Sequence, residues 1–183
     1  MNLFILRHAS AGIRRKNPLL DLKRPLDKEG KRHCLHLAHV LNALNIQFDL
    51  IVSSPLKRSL QTASLIGTET GYESQILLSN ALAPEATQQD FQKLLYETRG
   101  HENVLVVGHN PNINSFLGNL LVPANTNATA QVRLRKGSLA RLSLMKGPAT
   151  LQWLLDPRAV DVGRSLSILE RLLPRDPGPS GPA

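Results

Sequence analysis

Short apolar runs alternate with stretches whose apolar residues recur every third or fourth position, and this alternation sets the expected order of elements. Asn2–Leu6, Leu50–Val52, Ile76–Leu78 and Val104–Val107 are bounded by polar or turn residues and predict buried strands. Gly30–Leu44 carries Leu37, Val40, Leu41 and Leu44 at helical spacing, behind an N-cap at Asp27. Leu56–Ile66 follows Ser54-Pro55, and Ile113–Leu121 follows Asn110-Pro111. Each pair reads as an N-cap with Pro at the first helical position. Asp90–Thr98, with Phe91, Leu94 and Leu95, predicts a further helix. Strands alternating with helices predict a three-layer α/β/α sandwich around a mostly parallel sheet.

After Pro123 the pattern changes. Ala130–Leu134 and Ser138–Leu144 alternate in the manner of strands about a Lys136-Gly137 turn, and Thr150–Leu155 reads as another strand. The sheet is therefore expected to finish in an antiparallel edge. Ser165–Leu173 predicts a last helix, and 1–173 is expected to form a single domain. The segment 174–183 holds four Pro and two Gly and is expected to be a disordered tail.

Composition narrows the class. No apolar run in the 183 residues approaches the ~18 needed to span a membrane, and no secretory leader is evident, so a cytoplasmic protein is expected. Cys34 is the only cysteine, which excludes an intramolecular disulfide, and it reads as a helix-packing residue. The net charge of +8 points to a phosphorylated or acidic partner. Basic clusters such as Arg14-Arg15-Lys16 and Arg133-x-Arg135-Lys136 have no aromatic residues between them, and aromatics total 4%, so nucleic acid is not expected. His33, His36 and His39 recur at three-residue steps that drift around a helix and read as a solvated stripe; no metal is expected.

The candidate chemistry lies at strand ends. Arg7-His8 leaves the first strand, Ser53-Ser54-Pro55-Leu56-Lys57-Arg58 leaves the second, and Gly108-His109-Asn110-Pro111 leaves the fourth. In open α/β sheets, ligands bind beyond the carboxyl ends of the strands. A parallel arrangement would gather Arg7, His8, Arg58 and His109 in one crevice, beside two helix N-termini that favour an anion. The guanidinium fork matches phosphate oxygens, and a neutral imidazole is a nitrogen nucleophile.

These residues resemble the histidine phosphatase superfamily, and in particular its compact phosphohistidine phosphatases. Leu6-Arg7-His8-Ala9 is similar to the Arg-His-Gly signature, with Ala9 in place of Gly. Arg24-Pro25-Leu26-Asp27, Ser54-Pro55-x-x-Arg58-x-x-Gln61-Thr62 and Gly108-His109-Asn110-Pro111 resemble the other elements, in family order. The resemblance implies a phosphoglycerate mutase-like fold, with His8 as the nucleophile and Arg7, Arg58 and His109 around the phosphoryl group. Arg24, Asn110 and Ser10 are candidate substrate contacts, and Glu85 is the one candidate general acid. It further implies a metal- and cofactor-independent phosphatase, monomeric, acting on phosphohistidine in a histidine-phosphotransfer type protein. The alternatives are a phosphomonoesterase for a small phosphate ester that uses Glu85, and a non-catalytic phosphate-binding module.

Overall fold

A computed structural model describes residues 1–123, 126 and 128–159. In β1 (Asn2–Arg7), Leu3, Phe4, Ile5 and Leu6 are all buried, in alternation on the two sides of a sheet. The same double burial holds for β2 (Leu50–Ser53) and β4 (Asn103–Gly108), as expected of central parallel strands covered by helices on both faces. Phe4 and Leu6 pack with Cys34, Leu37, Ala38 and Leu41 of α2 (Lys28–Ala43) and with Ala63 and Ile66 of α3 (Lys57–Glu69). Leu3 and Ile5 pack with Phe91 and Leu94 of α4 (Gln88–Thr98) and with Ile113, Phe116 and Leu117 of α5 (Asn112–Leu120). The rings of Phe91 and Phe116 stack at 4.5 Å and join those two helices.

The sheet order is β3-β2-β4-β1-β5-β6, with β3 over Leu77–Leu78, β5 over Leu139–Ser143 and β6 over Thr150–Leu155. β1, β2, β3 and β4 are mutually parallel, whereas β5 and β6 pair antiparallel at the β1 side. This is the expected three-layer α/β/α architecture with an antiparallel edge. No helix among the described residues is long and apolar enough to cross a membrane. The helix expected over Ser165–Leu173, the end of the 1–173 domain and the 174–183 tail lie outside the described residues.

Three expectations change. The buried strand expected over Ile76–Leu78 is only Leu77–Leu78, and both residues are exposed, because β3 is an edge strand paired with β2 alone. Ala130–Leu134 is not a strand. The Leu134 carbonyl accepts from Arg7 Nη1 (2.9 Å) and Asn110 Nδ2 (3.1 Å), and its N–H donates to Asn114 Oδ1 (3.1 Å). Side chains thus take the main-chain groups that a sheet ladder would need. Ser54 and Asn110 are not helix caps: α3 starts at Lys57 behind Leu56, and α5 at Asn112 behind Pro111, neither with a side-chain cap. Ser54 and Asn110 face the site instead. Between β1 and α2 lies a short helix, α1 (Pro18–Leu22), capped by Asn17. Asp27 does cap α2, accepting from Gly30 N at 2.7 Å.

Candidate active site

The ends of β1, β2 and β4 open into one cleft of about 800 Å³ that is lined by Arg7, His8, Arg58 and His109 together. Pairing of Arg7 with Gly108 sets the first and last of these strand ends side by side, and the His8 N–H donates to the Gly108 carbonyl at 3.0 Å. The two imidazoles lie 4.9 Å apart, centre to centre.

The hydrogen bonds of His8 identify its reactive atom. Nδ1 is 2.8 Å from the Ala9 carbonyl, which can only accept, so Nδ1 carries the proton and Nε2 carries the free lone pair. Burial pushes the pKa of His8 down to about 3; the Ala9 carbonyl opposes this and Arg58, Arg7 and Arg24 add to it. His8 is therefore neutral at physiological pH, the form in which an imidazole can act as a nucleophile. Ala9 fixes the turn beyond it. Its N–H donates to Thr62 Oγ1 (3.1 Å), and that hydroxyl donates to the Arg58 carbonyl (2.8 Å), which ties the first signature to the first turn of α3.

His109 is held from its other side. Nε2 lies 2.9 Å from Ser54 Oγ and 3.1 Å from Ser59 Oγ, while Nδ1 is buried without a partner. Its pKa falls to about 2, through burial and then the neighbouring His8 and arginines. In the tautomer that lets a serine hydroxyl donate to Nε2, Nδ1–H is the spare donor.

Arg58 is 6% exposed; its Nη1 donates to the Asp21 carbonyl (3.1 Å) and approaches Asp21 Oδ2 (3.5 Å), and its Nε is buried and unpaired. Burial lowers its pKa, as does Arg24, against the attraction of Asp21. Arg7 also keeps a buried, unpaired Nε. Two guanidiniums and one imidazole of the cleft lining thus hold buried nitrogens without partners, and the positive charge gathered there suits an anion.

The remaining expected contacts separate. Arg24 lines the cleft but is committed to the loop: Nε pairs with Asp21 Oδ1 (2.9 Å) and Nη1 donates to the Ala11 and Gly12 carbonyls (2.9 Å for Gly12). Ser10 does not line the cleft. Its hydroxyl donates to Asp27 Oδ2 (2.8 Å) and its carbonyl accepts from Asp27 N (3.1 Å), so it braces the start of α2. Asn110 lines the cleft; one hydrogen of its Nδ2 goes to the Leu134 carbonyl, the second remains a donor, and its buried Oδ1 has no partner. Glu85 is exposed and lines the same cleft. Its loop is anchored by Asn112, whose Nδ2 contacts the carbonyls of Ala83, Pro84 and Ala86 at 3.3, 2.7 and 2.7 Å. Cys34 is buried, with its thiol pushed up to about 12 by burial, as befits a packing residue. His33 and His36 are half-buried and His39 exposed. Among the described residues, no group of three His, Cys, Asp or Glu is arranged to hold a metal ion.

Sequence reasoning missed Asp21, Ser59 and Asn112. Asp21 had a signal, as the only carboxylate among the cations from Arg14 to Arg24. The other two contact groups about 26 to 50 positions away and left none.

Comparison with known proteins follows the same signatures. A family model described as the histidine phosphatase superfamily (branch 1) matches residues 3–83. An uncharacterised protein of Picosynechococcus sp. is 30% identical over 119 residues, which cover 63% of this chain and 70% of that protein. Among solved structures, the protein histidine phosphatase SixA complexed with tungstate matches with a TM-score of 0.77 at 22% identity. The match covers 88% of this chain and 100% of that one. The alpha-ribazole phosphatase of Shigella flexneri matches with a TM-score of 0.64 at 17% identity, covering 86% and 97%. At these identities the structural likeness is one of fold: a phosphoglycerate mutase-like sandwich.

Proposed function

The chain belongs to the histidine phosphatase superfamily (branch 1), and from that premise we propose that it is a metal-independent phosphohistidine phosphatase with His8 as the nucleophile. The observation that carries the reading is a neutral His8, with Nε2 free, in one cleft lining with the guanidiniums of Arg7 and Arg58 and the imidazole of His109.

The chemistry runs as an in-line displacement. Nε2 of His8 bonds to phosphorus as the bond from phosphorus to the leaving group breaks, and the Ala9 carbonyl supports the charge that develops at Nδ1–H. Arg7, Arg58 and Nδ1–H of His109 stabilise the equatorial oxygens. Water then bonds to phosphorus, and the pair of the Nε2–P bond returns to His8. Both water protons leave with the phosphate.

The leaving group decides the substrate. A phosphohistidine ring protonated on its second nitrogen departs as neutral imidazole and needs no acid, whereas an alkoxide does. Glu85, the candidate acid, is exposed on its loop, and this favours the phosphoramidate. Its place in the cleft lining supports the second reading, a phosphomonoesterase for a small ester. The favoured setting is cytoplasmic, with a monomer acting on a histidine-phosphotransfer protein.

The test is phosphate release from a phosphohistidine-bearing phosphotransfer domain and from an alkyl phosphate, by wild type, His8→Ala and Glu85→Gln. Turnover of the phosphodomain that His8→Ala abolishes and Glu85→Gln leaves intact is the expected result. Turnover confined to the alkyl phosphate, and reduced about 10²–10⁴-fold by Glu85→Gln, would establish the second reading instead. Phosphate binding without turnover would make the site a binding module.

A further inference from the structure

We propose that the cleft wall formed by residues 13–22 is a docking surface for a phosphoprotein, one that sets its phosphohistidine beside an acidic, partly apolar helix face. The inference rests on the phosphohistidine reading and adds how the substrate is recognised.

The wall exposes large apolar side chains that the fold leaves uncovered: Ile13 (87% exposed), Leu19 (69%), Leu20 (57%) and Leu22 (46%). Four such residues within ten positions form a patch of the kind that marks an interaction site. The same segment carries Arg14, Arg15 and Lys16, all exposed on the cleft lining, with Lys136 also in that lining. These cations are additional to Arg7 and Arg58, so they offer charge to something larger than one phosphoryl group. Long-range attraction of this kind recruits an acidic partner.

The wall is also pre-shaped, which limits the ordering cost of binding. Asp21 Oδ1 accepts from the Arg15 N–H (3.0 Å) and from Arg24 Nε (2.9 Å), Arg24 in turn holds Gly12, and Arg58 grips the Asp21 carbonyl. The loop is thereby tied to the phosphate-holding arginine while its leucines face outward. A small metabolite seated against His8 would leave Ile13, Leu19 and Leu20 untouched, because only Leu22 of the four lines the cleft, whereas a helix face bearing a phosphohistidine would cover them.

The experiment compares wild type with Ile13→Ser/Leu19→Ser/Leu20→Ser, three exposed positions outside the cleft lining. Substrates are an acidic phosphohistidine-bearing phosphotransfer domain and the free amino acid phosphohistidine. The expected result is a rise of about tenfold or more in KM for the domain, with both constants for the free amino acid unchanged. Wild-type KM for the domain should also climb with salt. An unaltered KM for the domain overturns the docking surface while leaving the phosphohistidine reading standing. A wild-type enzyme inert toward both phosphohistidine substrates overturns both readings. Sedimentation with vesicles of phosphatidylcholine and phosphatidylserine that the triple variant abolishes, without a change in KM, would reassign the patch to a lipid surface.

Discussion

Acid should unfold this protein through the two buried imidazoles of its cleft, His8 and His109. An exposed histidine in the unfolded chain titrates at 6.5, whereas His8 is depressed to about 3 and His109 to about 2, chiefly by burial. The unfolded state therefore binds more protons across the interval, so stability is full above 6.5 and is lost as pH falls toward the folded values. At pH 5 the unfolded rings are almost fully charged and the folded ones neutral, a difference of about 2 kcal/mol per ring; at pH 7 both states are mostly neutral and little of it remains. Moving from pH 7 to pH 5 should thus cost about 4 kcal/mol for the pair, a large fraction of a typical stability. The figure depends only on both folded values lying well below 5. Urea unfolding at pH 5, 6 and 7 can be followed by Trp153, the single tryptophan, whose ring meets Phe4 at 6.0 Å. His8→Asn/His109→Asn serves as the comparison, because the other four histidines are common to both proteins and cancel. The double variant should lose about 4 kcal/mol less over the same interval. Equal losses in the two proteins would refute the argument that burial keeps these rings neutral.

Other outcomes follow from single contacts. Ser54→Ala/Ser59→Ala strips Nε2 of His109 of both hydroxyls and should lower kcat about 10–100-fold, with the circular dichroism spectrum unchanged. Asn112→Ala releases the carbonyls of Ala83, Pro84 and Ala86, and should cost about 1–3 kcal/mol in chemical unfolding. It should also slow alkyl phosphate hydrolysis more than phosphohistidine hydrolysis, since its loop carries Glu85. Gly30→Ala should destabilise by about 3 kcal/mol in the same unfolding assay, because a β-carbon there would lie 2.0 Å from the Ser10 carbonyl oxygen.

The amino-acid sequence by itself determined the layers and which basic residues meet in the cleft. Double-sided apolar runs such as Leu3–Leu6 and Val104–Val107 can be buried only in a central strand. The helical spacing of Leu37 and Leu41 and the cap at Asp27 are likewise local signals, read within one or two turns of chain. Strand-end placement of His8, Arg58 and His109 followed from that order, since parallel strands must open at one edge. Only the tertiary structure decided what each side chain does there. Ser54 and Asn110 have the local form of caps, yet Ser54 serves His109 and Asn110 serves Leu134, contacts that span 55 and 24 positions. Ala130–Leu134 alternates like a strand but loses its ladder to Arg7, Asn110 and Asn114. The free nitrogen of His8 depends on the Ala9 carbonyl, and Ala9 is itself held through its N–H by Thr62 of the neighbouring helix. Periodicity and capping act over a few residues and leave a record in the chain. A hydrogen bond between residues brought together by the sheet leaves none, because any polar neighbour of suitable reach would satisfy the same local pattern.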